Sequence, residues 1–277
     1  MSLRIHHINC ATLCPSCERL MNGSGSWVEP STLVCHCLLI ETPEALVLVD
    51  TGLGSLDVRA PQARLGRMFN TLMHPRLDPA ETAFAQIRAL GHDPRDVRHI
   101  ITTHLDLDHA GGLVDFPEAS VHLFKPELNA ALNPSLLEKT RYHAVQFAHQ
   151  PKWVPHEEAG DSWFGFSSIR ALPGLSTDIL LIPLVGHTRG HTGVAVRNGD
   201  RWLLHAGDSY FYRGTLEPEP HMPAGLALME EIVQTHRRQR LYNQRRLRQL
   251  AAEHPDEVDI FCAHDPVEFA RHAGTHA

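Results

Sequence analysis

Thr103-His104-Leu105-Asp106-Leu107-Asp108-His109-Ala110-Gly111-Gly112 decides the reading of this chain. Two histidines and two aspartates stand within six residues, directly after the apolar pair Ile100-Ile101, which reads as the end of a buried strand. A strand that runs into a Gly-marked bend gives the rigid base that ligands need to converge on one cation. A polar loop whose aspartate caps a following helix uses the same residue types, but a His-x-Asp-x-Asp-His order closed by two glycines is rare by chance. The spacing predicts a metal-binding loop.

Such a loop needs partners from elsewhere. With 21 histidines in the chain, a single one carries little weight, so context decides. Gly186-His187-Thr188-Arg189-Gly190-His191-Thr192 follows the apolar run Ile179 to Val185. Trp202-Leu203-Leu204-His205-Ala206-Gly207-Asp208 reads as a strand ending on a carboxylate, and Asp259-Ile260-Phe261-Cys262-Ala263-His264-Asp265 as one ending on a histidine. Leu48-Val49-Asp50-Thr51-Gly52 adds a further strand-terminal aspartate. In order and character these five motifs resemble those of the metallo-β-lactamase fold hydrolases, their lactonase-like branch above all, over about residues 33 to 265. There is one departure: Asp106 stands where that family usually has its second histidine.

The resemblance implies an α/β fold, an αββα sandwich of two mixed sheets flanked by helices, with residues 1–277 as one domain. It implies two divalent metal ions. His104, Asp106 and His191 would hold one, Asp108, His109 and His264 the other, and Asp208 would bridge them. Zinc is the expected ion, and the hard carboxylate of Asp106 admits iron or manganese. The implied activity is hydrolysis: a dinuclear metal-bound hydroxide opens an ester or lactone of a small molecule. Asp108 would orient the hydroxide. Tyr210, with Tyr212 close behind, would assist at the substrate carbonyl. Asp50, His187, His205 and Asp265 read as supporting residues. Three alternatives stay open: an iron-dependent oxidoreductase of the same fold (flavodiiron or persulfide dioxygenase-like), a thioesterase of glyoxalase II type, and a non-catalytic metal-binding protein that lost one site through Asp106.

Length and composition agree. A chain of 277 residues, 43% hydrophobic, can bury one sizeable core. A formal charge of −7 argues against nucleic acid as a partner, since phosphate binding wants a basic surface. The Arg-rich stretch His236-Arg237-Arg238-Gln239-Arg240, with Arg245, Arg246 and Arg248, has few aromatics and reads as a solvated helix face. No apolar run approaches the ~18 residues of a membrane span, and the start of the chain lacks a secretory apolar region. The expectation is a cytoplasmic protein acting on small molecules, in an oligomeric state that the sequence leaves open.

Cys14-Pro15-Ser16-Cys17 has the spacing of a redox pair or half a zinc site, but no second such pair exists, so reduced thiols are the default. Cys10, Cys35 and Cys37 would complete a thiolate cluster with that pair, but Cys35 and Cys37 point to one face of a strand and can serve as small apolar residues. The pattern Cys35 to Ile40, turn at 42–44, Ala45 to Val49 predicts a hairpin, and Gly193 to Val196, turn at 198–200, Trp202 to His205 repeats it. Helices are expected from Asp78-Pro79 to Gly91, over 135–148, and over 224–253 as one long or broken helix. Trp27, Phe69, Trp153, Trp163, Phe164 and Phe166 would line a pocket or else fill the core.

Overall fold

In the computed structural model, which describes residues 3–157, 161–169, 172, 174–175 and 178–273, the apolar runs become buried strands. Arg4–Leu13 (β1), Leu33–Glu41 (β2), Leu46–Val49 (β3), Pro75–Arg76 (β4), Val97–Ile101 (β5), Ser120–Phe124 (β6) and Lys152–His156 (β7) form one sheet, ordered β4-β1-β2-β3-β5-β6-β7. Asp161–Trp163 (β8) and Phe166–Ser168 (β9) pair as a ribbon. Ile179–Pro183 (β10), Thr192–Asn198 (β11), Arg201–His205 (β12) and Val258–Phe261 (β13) form the second sheet in chain order.

Both sheets are mixed, and for the same reason. A tight hairpin gives antiparallel neighbours, and a longer crossover then returns a parallel strand. β2 and β3 are antiparallel, and β5 runs parallel to β3. β11 and β12 turn through Gly199-Asp200, where Gly199 takes the positive φ of +61° that a two-residue hairpin turn favours. β13 then runs parallel to β12. The two crossover strands β5 and β13 end just before His104 and His264, so the repeated topology delivers one site histidine from each half.

Alternation along the strands sorts the core into three apolar layers. Leu38, Val49 and Ile101 of the first sheet meet Leu181, Val194 and Phe261 of the second between the sheets. The outer face of the first sheet (Leu48, Ile100, Leu123) is covered by Ala83 and Ile87 of helix Ala83–Ala89. The outer face of the second (Leu204, Ile260) is covered by Leu247 and Leu250 of helix Arg237–Glu253. Helix, sheet, sheet, helix is the expected αββα order.

The helices differ from expectation in two places. Asp78 caps only the short turn Pro79–Glu81, and Thr82 then caps helix Ala83–Ala89 through Ala85 N–H. Over 135–148 no continuous helix forms. Two single turns, Glu138–Thr140 and Ala144–Phe147, form instead, with Glu138 accepting from Arg189 and Gln146 donating to Asp57. The region 224–253 is a broken helix, Ala224–Val233 and Arg237–Glu253. Arg237, Arg238 and Arg245 are exposed, as expected of a solvated face, while two other arginines serve the fold. Arg240 pairs with Glu230 and Glu231 while buried, and Arg248 donates to the Thr215 carbonyl.

Many histidines are structural. His7 Nδ1 lies 2.8 Å from His36 Nε2, and His205 Nε2 lies 2.6 Å from the His36 carbonyl. His99, His122 and His156 form a second chain, linked at 3.0 Å and again at 3.0 Å. Burial, reinforced by neighbouring imidazoles, pushes His7 and His122 each down to about 3 and holds His36 well below its usual range. These rings are neutral in the fold but take up a proton near pH 6.5 once unfolded. Stability from this source is complete above about pH 6.5 and is lost as pH falls from there toward 3. Thermal melts should show a lower Tm at pH 5.5 than at pH 7.5, and an unchanged Tm would contradict the neutral clusters.

Candidate metal centre

The site is built by carboxylates and carbonyls that lock histidine tautomers. The Asp50 carboxylate, at the end of β3, accepts from Thr103 N–H and Thr103 Oγ1–H, both at 2.7 Å, and from His109 Nδ1–H at 2.8 Å. Because the Thr103 hydroxyl donates to Asp50, its oxygen accepts from His104 Nδ1–H at 3.0 Å. His264 Nδ1–H donates to the Val34 carbonyl at 2.8 Å. In all three rings the Nε2 lone pair is left to point inward, which is how metal-ligating histidines are held.

Asp208 occupies the middle. Its Oδ1 lies 3.3 Å from His109 Nε2 and 3.2 Å from His264 Nε2. Its Oδ2 lies 3.5 Å from His187 Nε2 and 3.7 Å from His104 Nε2. One carboxylate thus stands between two histidine pairs, His104 with His187 and His109 with His264, each group compact enough to hold an ion. Asp106 Oδ2 joins the first pair, 3.4 Å from His104 and 3.0 Å from His187. Asp108 Oδ2 joins the second, 3.7 Å from His264.

The residues fit two divalent cations. His104 Nε2, His109 Nε2 and Asp208 Oδ1 are buried atoms with no hydrogen-bond partner among the described residues. Buried lone pairs facing one another are costly unless a proton or cation lies between them. Imidazole nitrogens mixed with carboxylate oxygens suit zinc, iron or manganese. The electrostatics agree. Burial opposes charge on His109, yet Asp208, Asp50 and Asp108 raise it well above the usual histidine range. Burial likewise opposes ionisation of Asp208, yet His264 and His109 hold it well below the usual carboxylate range.

Of the expected residues, His104, Asp106, Asp108, His109, Asp208 and His264 come together. His191 does not present a free nitrogen. Its Nδ1–H donates to the Leu184 carbonyl at 3.1 Å, and its Nε2 accepts from Asp208 N–H at 2.8 Å, so both are spent on backbone. His187, expected only in support, is the histidine of the same motif whose Nε2 faces Asp106 and Asp208, at 3.0 and 3.5 Å. Tyr210 is also displaced. Its ring lies in the core behind the second sheet, and its hydroxyl bonds to Glu268 at 3.2 Å. The ring over the site is Phe211, with centroids 5.8 Å from His187 and 5.3 Å from His264.

Two residues escaped the sequence reading. Arg141 Nε lies 3.4 Å from Asp106 Oδ1, and its other nitrogens donate to the His187 and Val233 carbonyls. This mostly buried cation balances the carboxylate that replaces an imidazole. Nothing in the sequence around Arg141 signals it. Glu127, fully buried, accepts from Leu105 N–H, Tyr142 O–H, Thr188 O–H and Gly190 N–H at 2.6 to 3.1 Å. It ties the His104 loop to the His187 loop, and a Cβ at Gly190 would fall 2.0 Å from the Glu127 nitrogen. Glu127→Ala should leave at least two buried N–H groups unpaired at about 1–3 kcal/mol each. That corresponds to a Tm lower by roughly 10 °C, and an unchanged melt would refute the clamp.

Beside the centre lies a cavity of about 170 Å³, lined by Met21, Leu33, Phe211, Tyr212, Arg213 and Leu226 among others. The aromatics considered as pocket lining are elsewhere. Trp163 and Phe166 are core residues with Phe164 packed against them, Trp153 and Phe69 pack against other clusters, and Trp27 is exposed.

Fold and site together define a metallo-hydrolase of the αββα type. The chain belongs to the metallo-β-lactamase superfamily, whose family model matches residues 31–241. It is 43% identical over 265 residues to a Mycobacterium tuberculosis protein called a "probable metallo-hydrolase", covering 95% of this chain and 81% of that one. It is 27% identical to the N-acyl homoserine lactonase of Agrobacterium fabrum, over 97% of this chain and 95% of that protein. In fold it resembles a solved N-acyl homoserine lactone hydrolase with the product N-hexanoyl-L-homoserine at its catalytic metal centre. The TM-score is 0.71 at 20% identity, over 98% of this chain and 97% of the other. No helix among the described residues is long and apolar enough to cross a membrane.

Proposed function

We propose that this protein hydrolyses an ester or lactone of a small molecule at a two-metal centre. His104, His187 and Asp106 hold one ion, His109, His264 and Asp108 the other, and Asp208 is shared. The observation that carries this reading is the position of the Asp208 carboxylate between two inward-facing histidine pairs. Two divalent ions there supply Lewis acidity toward a carbonyl and acidify bound water. The chain's own residues do the rest. Asp108, which keeps 8% of its surface exposed, is placed to orient the attacking water and take its proton. Phe211 and the cavity beside it exclude water and receive the apolar part of the substrate.

A lactone is favoured over a thioester because relatives similar along nearly the whole chain are named lactonases. Zinc is the first choice of ion. Asp106 adds a hard donor to the first position, which makes iron or manganese serviceable there, and Asp106→His should move the preference back toward zinc. Six free thiols suit the reducing cytoplasm, where we place the protein. Metal-loaded protein offered N-acyl homoserine lactones, simple γ-lactones and thioesters in parallel is the test. Lactone opening well above thioester cleavage is expected, and thioester cleavage alone would overturn the substrate class.

A further inference from the structure

We propose that Cys35 is a ligand of the second metal position, its thiolate joining Asp108 and His264. The inference rests on the two-metal reading above and extends it to a residue whose default reading in the sequence is small and apolar. Three observations carry it. The Cys35 sulfur, an Asp108 carboxylate oxygen and a His264 ring nitrogen lie within 4.8 Å of one another, all buried. Donors sharing one ion sit about 3–4.5 Å apart, given metal–sulfur and metal–nitrogen lengths near 2.3 and 2.0 Å. His264 also belongs to the adjoining group with His109 and Asp208, where Asp208 Oδ1, buried and without a hydrogen-bond partner among the described residues, lies 3.2 Å from His264 Nε2.

The third observation is how the fold brings the sulfur there. Residues after β13 dock along β2: His36 N–H donates to the Ala263 carbonyl at 2.9 Å, and His264 Nδ1–H donates to Val34. Cys35 lies between those two anchor points. Across from it the register of β1 shifts between Asn9 and Thr12, and the Asn9 side chain, not a β1 carbonyl, accepts from Cys35 N–H at 3.0 Å. An irregularity of this kind re-aims a side chain beside a site.

Binding an ion would break the Cys35 S–H bond, with the proton leaving to solvent as the sulfur–metal bond forms. A thiolate is the softest donor in the centre, so the second position should select zinc or another thiophilic ion, while Asp106 hardens the first. The two positions would thus differ in preference.

The test is cobalt(II) loading of chelator-stripped protein, followed by absorption. Visible bands report cobalt in the centre, and an intense near-ultraviolet band reports sulfur bound to it. Wild-type protein should show both. Cys35→Ser and Cys35→Ala should lose the near-ultraviolet band, keep visible bands, and bind the ion at this position at least ~10-fold more weakly. Cys37→Ser, two residues along the same strand, should keep everything. Visible bands without the sulfur band in wild-type protein would overturn the Cys35 proposal and leave the metal centre standing. Absence of both would overturn the two together. A sulfur band that survives Cys35→Ser in a folded protein would assign the ligand to another thiol and refute this one.

Discussion

Asp208→Ala should abolish hydrolysis and empty the centre. Its two oxygens face four histidine nitrogens between them, two on each side. Without it, the neighbouring imidazoles lose the charge that draws cations to both positions, and no other described carboxylate reaches both pairs. A metal centre stabilises transition-state charge by several kcal/mol, so the rate should fall by about a thousandfold or more. Elemental analysis should show both ions depleted. A variant that kept full metal content and turnover would remove Asp208 from its bridging role.

His187→Ala and His191→Ala should fail in different ways, although the two residues share one short motif. His187 presents Nε2 to Asp106 and Asp208 at 3.0 and 3.5 Å, so its loss should cost the first ion and the activity with it while the fold persists. His191 is bonded to backbone on both sides. Its loss should leave two buried backbone groups unpaired, at about 1–3 kcal/mol each, and lower the Tm while the protein still takes up metal. Metal content and melting temperature, measured on both variants, decide the matter. Depleted metal in His191→Ala with intact metal in His187→Ala would reverse the assignment.

These two histidines mark the limit of what the sequence discloses. The motif Gly-His-Thr-x-Gly-His announces that a histidine is needed, but not which of two four residues apart is used. That choice depends on where β11 begins. His191 directly precedes it and is drawn into its backbone, whereas His187 rides on the loop tip. The strand-end candidates were legible because each combined a buried apolar run with a polar terminus, a local pattern. His104, Asp208 and His264 are of this kind. Arg141 and Glu127, and the role proposed for Cys35, were not legible in the sequence, because they arise only from long-range docking. Arg141 meets a carboxylate 35 positions earlier, and Cys35 meets a histidine near the far end of the chain. Tyr210 misled for the opposite reason. Closeness to Asp208 in sequence suggested closeness in space, but the intervening turn sends its ring into the core and brings Phe211 to the surface of the site. The αββα architecture was readable in outline, since both hairpins carried turn residues and both crossover strands ended on a motif.

The central claim is that two ions bound by this set of residues open an ester or lactone ring. Its most direct test is the rate of N-acyl homoserine lactone opening by chelator-stripped protein as zinc is added back. Turnover should be negligible without metal, rise with added ion, and level off at two equivalents per chain. Saturation at one equivalent, or no lactone opening at two, would contradict it.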